Sequence, residues 1–118
     1  MQINNLSSER QLTMLTIRWL GQVAECVSFL VEETSDIKIS NPLKIIERCS
    51  DRIEHIAQYD LDGLAESTRL EYMANDVEWL SNIVEKNEAV LSTGQLNYPS
   101  ATELRELLIT LRERQPRR

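Results

Sequence analysis

The residues of this chain that could do chemistry are few and poorly matched. Glu85-x-x-Glu88 and Glu103-x-x-Glu106 each place two carboxylates one helical turn apart, a spacing that could offer oxygen ligands to magnesium for nucleotide hydrolysis. Glu103, however, is better used in a helix cap, and Glu85 falls off the apolar face of its helix, so the four acids do not converge. The lone histidine, His55, follows Arg52 at the position where a di-metal bundle would need a glutamate. It reads as a surface residue or a cap at the end of its helix. Neither Cys26 nor Cys49 has a histidine at an activating spacing, and no Gly-x-Ser-x-Gly turn or Gly-rich phosphate loop occurs. These residue types argue against an enzyme and point to no metal or cofactor.

Recognition surfaces are better represented. Tyr72, Trp79, Ile83 and Val90 recur at helical spacing and form a stripe separate from Leu70, Met73, Val77, Leu80, Val84 and Leu91. The second set reads as core. The first is the leading partner-binding candidate, because Tyr and Trp are enriched at protein interfaces. Phe29, on a polar arc with Arg18, Glu25 and Glu32, is a second anchor candidate. Glu71, Glu78 and Glu85 recur every seven residues as an acidic face, which an inhibitor could set into a basic groove. One carboxylate per ~10.5 Å of helix is nevertheless sparse beside duplex DNA, with one charge per ~1.7 Å. Lys44, Arg48 and Arg52 lie beside Glu47, Asp51 and Glu54 in what reads as a salt ladder, and Arg112, Arg114, Arg117 and Arg118 make a basic end.

Four helices must position these groups. Ser8 and Gln11 have capping-box spacing ahead of a helix over about 8–33. Gly21 in its interior costs about 0.5–1 kcal/mol relative to alanine, so a neighbouring helix is expected to approach closely there. Asn41-Pro42 starts a second helix over about 42–58, with an apolar stripe of Leu43, Ile46, Cys49, Ile53 and Ile56. Asp60-Leu61-Asp62-Gly63 reads as a turn, and a third helix spans about 64–91. A second capping box, Ser100 to Glu103, opens the last helix, about 100–114, before a short basic tail. Glu25, Ser28, Val31 and Glu32 echo Glu78, Ser81, Val84 and Glu85 at a constant offset, as a repeated helical hairpin would.

With 118 residues, 42% apolar and 27% charged, three glycines and three prolines, the chain reads as one all-α domain, an antiparallel bundle of about four helices. Residues 1–104 carry net −9 and residues 105–118 net +3. An acidic body disfavours nucleic acid and anionic membranes and could meet a basic protein. No signal-peptide pattern opens the chain, and no run of ~18 uninterrupted apolar residues occurs. The cysteines read as small core residues in a cytoplasmic protein. The expected function is a non-catalytic regulator or inhibitor that binds a protein partner or a second copy of itself through helical surfaces. The alternative is an acidic inhibitor, of the phage or plasmid type, that occupies a basic nucleic-acid-binding channel.

Overall fold

The computed structural model describes residues 9–33, 41–61 and 63–114. They form an all-α bundle of four helices: α1 (Glu9–Glu33), α2 (Pro42–Leu61), α3 (Glu66–Leu91) and α4 (Ala101–Glu113), with a 3-10 turn at Ser92–Gly94. The helices pack in two pairs, α1 with α2 and α3 with α4, and the pairs meet chiefly where α1 crosses α3. The radius of gyration is 14.7 Å, slightly above the ~13.5 Å of a compact chain of this length. Long helices α1 and α3 account for the elongation.

Packing follows periodicity. Leu70, Met73, Val77, Leu80, Val84 and Leu91 are all buried, against Leu12, Leu20, Val23 and Val27 of α1 and Leu104 and Leu111 of α4 within one core. Buried hydroxyls are satisfied on their own helices, Thr16 donating to the Leu12 carbonyl at 2.8 Å and Ser81 to that of Glu78 at 2.8 Å. Glu9 and Arg69 form a two-pronged ion pair between the starts of α1 and α3, with Nη2 donating to Oε2 at 3.2 Å. Cys26 and Cys49 are free, buried thiols. Burial pushes the Cys49 thiol up to about 12, so it stays protonated as a small apolar residue. By length and composition α1 could also cross a membrane, with a mean hydropathy of 1.3. Here eight of its residues are buried in the bundle.

Local signals set the helix ends. Asn41 adopts a left-handed conformation, φ 56°, and its carbonyl accepts from the amides of Lys44 and Ile45 at 3.1 and 3.2 Å. Asparagine tolerates this region well. Ser100 accepts from the Glu103 amide at 3.1 Å while Glu103 accepts from the Ser100 amide at 3.1 Å, so the capping box at α4 is formed. The box at Ser8 lies outside the described residues.

Several expectations need correction. The second helix runs on to Leu61, and the reversal falls on Gly63, φ 66°. The third starts at Glu66, after Ala65, which has no side-chain acceptor with which to cap it. Leu43 is 68% exposed, and α2 instead buries Ile45, Cys49 and Ile56. At about 100° per residue these three lie within ~40° of one another, whereas Leu43 points roughly 120° or more away from them. Ile46 and Ile53 hold the edge of the packed face. Gly21 has open space around the position of a β-carbon. The close approach is at Gly94, where a β-carbon would come 3.4 Å from Leu30 Cδ2 and 3.7 Å from Phe29 Cδ1.

Because nothing crowds Gly21 and its helical φ suits any L-residue, Gly21→Ala is expected to stabilise the fold by about 0.5–1 kcal/mol. Gly94→Ala should gain less than Gly21→Ala, because its methyl group would come into van der Waals contact with Leu30 and Phe29. Urea unfolding of the two variants beside the wild type measures both.

Candidate functional site

Helices α2 and α3 face each other without the close packing of α1 on α2 or of α4 on α3, and their facing side chains are of unusual kinds. On α3 the line consists of Tyr72, Asp76, Trp79, Ile83, Lys86 and Asn87, and on α2 of Lys44, Arg48, Arg52, His55 and Tyr59. Each set repeats every three or four residues and so shares one side of its helix.

The lower part of this seam is closed. Asp76 is buried, its side chain 6% exposed, and Arg52 brings Nε to 3.0 Å from Oδ1. The Arg52 N–H is not directed along a hydrogen bond, and the other oxygen, Oδ2, has no hydrogen-bond partner among the described residues. The contact is therefore an ion pair held by proximity rather than a forked bond. Burial raises the Asp76 pKa above 3.8, while Arg52 and His55 pull it down. Aromatic rings continue the seam: Tyr59 and Tyr72 lie 5.3 Å apart between centroids, and His55 meets Tyr59 edge-on at 6.0 Å. Tyr59 is raised by its own burial, with Asp76 adding to the effect. Arg52 also places its guanidinium 5.7 Å from the centre of the Trp79 ring, joining the ion pair to the apolar stripe.

Above Arg52 the seam opens into a cleft of about 610 Å³, lined by Asn41, Lys44, Ile45 and Arg48 of α2 and its approach and by Trp79, Ile83, Lys86 and Asn87 of α3. Ile45 is buried at its base, Trp79 and Ile83 are half-buried, and Lys44, Arg48 and Lys86 are exposed. Among the described residues, no carboxylate lies within ion-pairing distance of these three cations. The expected ladder of Lys44 to Glu47 and Arg48 to Asp51 does not form, and Arg52 leaves α2 to reach Asp76.

The structure divides the sequence-derived candidates. Trp79 and Ile83 share the cleft. Tyr72 is 42% exposed and lies at the closed end, its ring tilted against that of Tyr59, while Val90 is half-buried against the core beyond the cleft lining. Phe29 is 37% exposed on α1, its ring edge beside the 3-10 turn and apart from the α2–α3 seam. In the acidic set, Glu78 is paired with Arg112 of α4 at 3.1 Å and Glu85 with Arg105, so two of the three carboxylates are opposed by arginines; Glu71 is exposed. Glu103 is committed to its cap and Glu85 to Arg105, which keeps the Glu-x-x-Glu pairs from assembling. His55 is exposed beside Tyr59 and caps nothing, because α2 continues beyond it. Among the described residues no group of three or more His, Cys, Asp or Glu side chains could hold a metal ion. Arg117 and Arg118 lie outside the described residues.

Sequence reasoning missed Asp76. On the α3 wheel it falls between the two apolar stripes, about 60° from Trp79 and ~40° from Leu80. A helix that buries both stripes must bury what lies between them, and that angle was the available signal. Comparison with protein-family models, curated proteins and solved structures found no match to this chain.

Because burial raises the Asp76 pKa, the folded state holds this proton more tightly than the unfolded chain, whose carboxyl titrates near 3.8. The group therefore withdraws stability as pH rises from below 3.8 through the raised value. Asp76→Asn should gain stability relative to wild type over that interval. Arg52, being a third exposed, can turn to water when the pair is lost. Unfolding free energies of both proteins as a function of pH test this, and a difference that is flat or of opposite slope would contradict it.

Proposed function

We propose that this chain is a non-catalytic protein-binding module, a regulator or inhibitor of its partner, and that the α2–α3 cleft is its docking surface. One observation carries the reading: α2 and α3 leave Trp79 and Ile83 half-exposed in a cleft, where α1 packs closely on α2 and α4 on α3. An aromatic and a branched aliphatic side chain, recessed and rimmed by polar groups, have the composition and placement of an interface hot spot. A cleft of about 610 Å³ lies within the ~300–1,000 Å³ typical of ligand sites. Free, buried cysteines suit a cytoplasmic setting. The alternative, an acidic face that imitates nucleic acid, draws less support, because Arg105 and Arg112 oppose two of its three carboxylates.

Trp79→Ala separates packing from binding. Full burial of a tryptophan would make the truncation cost about 3–5 kcal/mol of stability; half-burial at the cleft is expected to cost distinctly less. Affinity for a partner captured from the native host should fall by about 2 kcal/mol or more, while Glu78→Lys with Glu85→Lys leaves it largely intact. Thermal melts and calorimetric titration read the two quantities separately. Unchanged affinity in Trp79→Ala with loss in the glutamate variant would transfer the function to the acidic face.

A further inference from the structure

The charge of the cleft is opposite to that of the molecule that bears it. The whole chain has formal net charge −6, yet the described residues of the cleft comprise three cations, two amides and three apolar side chains, with no acid. Lys44 and Arg48 are one turn apart on α2, and Lys86 stands on the opposite wall, three residues beyond Ile83. Cations that share a small volume without carboxylates repel one another, and an anionic ligand relieves that repulsion.

Resting on the reading of the cleft as a protein-docking surface, we propose that its occupant is an acidic amphipathic segment of a partner protein. A bulky apolar side chain of that segment lies on Trp79 and Ile83, and flanking carboxylates meet Lys44, Arg48 and Lys86. A single-stranded nucleic acid would also combine charge with stacking, but the extent of the positive charge favours the peptide: the cations of the cleft sit on a chain of net charge −6, so a long polyanion running on over the body would meet like charge, whereas a short segment ends within the cleft.

The test uses the intact chain carrying Trp19→Phe, so that Trp79 alone reports. Four probes are titrated: a synthetic helical peptide with leucines one turn apart flanked by glutamates, its lysine-for-glutamate analogue, its alanine-for-leucine analogue, and a single-stranded oligodeoxynucleotide. The glutamate–leucine peptide should shift Trp79 emission saturably and bind more weakly as salt rises. Lys44→Glu, Arg48→Glu and Lys86→Glu together should weaken it about tenfold or more. All three residues are exposed, and a melt of the variant verifies that it folds. Equal or tighter binding of the lysine analogue or the oligonucleotide, equal binding of the alanine analogue, or no saturable shift with the acidic peptide would overturn the proposal. So would a dimer seen by light scattering that the triple variant abolishes, because the occupant would then be a second copy of this chain. With the captured host partner, binding lost in Trp79→Ala but unaffected by the triple variant would overturn the acidic occupant and leave the docking surface standing. Binding unaffected by either would overturn both.

Discussion

Helix α3 has to bury one apolar stripe completely, and the rest of the structure follows from how that is done. The stripe from Leu70 to Leu91 takes α1 on one flank and α4 on the other, and the hairpin turn at Ser92–Gly94 draws α4 close. With both neighbours engaged, the second stripe of α3 is left to α2. That helix is held mainly by α1, through Ile45, Cys49 and Ile56. With α1 packed on α2 and α4 on α3, α2 and α3 make fewer contacts with each other, and their seam closes only at its lower part. A small bundle has too little surface to cover every apolar face, and part of the uncovered remainder, Trp79 with Ile83, lies in this seam.

What spans the gap is polar. Arg52 reaches from α2 to the buried Asp76, lies over Trp79, and separates a closed aromatic end, with Tyr59 and Tyr72, from the open cleft. A buried ion pair with one unpaired carboxylate oxygen is weak support for stability, because desolvation offsets much of the attraction. Arg52 nevertheless bridges α2 to α3, touching both Asp76 and the Trp79 ring. On the opposite edge of α3, Arg105 and Arg112 oppose Glu85 and Glu78, while the cations of the cleft have no such partners among the described residues. An acidic chain therefore presents its unneutralised positive charge at the place where its apolar floor is open.

Much of the fold was legible in the sequence, because it rests on local rules. The 3.6-residue period gave the fully buried stripe of α3, and the Ser100–Glu103 box gave the start of α4. Where local and tertiary preferences competed, the sequence misled. Leu43 belongs to an apolar residue type, but α1 covers the side of α2 centred on Ile45 and Cys49, and only one such direction can be buried. A glycine signals close approach only if a neighbour is there; Gly94 has Leu30 and Phe29 beside it, and Gly21 has open space. The Tyr72, Trp79, Ile83 and Val90 stripe was recognisable as a second surface, but which of its residues meets Tyr59, lines the cleft or packs on the core depends on where α2 lies. Asp76 and the cationic cleft arise from pairing residues of two helices, information that no single periodicity contains.

The openness of the α2–α3 seam is the claim on which this account stands, and three isoleucines allow it to be measured within one sample. Methyl relaxation by a soluble paramagnetic agent, read by NMR, reports the solvent approach to each side chain. Ile109 is 58% exposed on α4 and Ile56 is fully buried, so they set the two limits. Ile83, partly buried against the core, should relax between these limits in the free protein and clearly more strongly than Ile56. An Ile83 methyl as protected as that of Ile56 would mean that α2 and α3 close over the cleft, and would contradict the account.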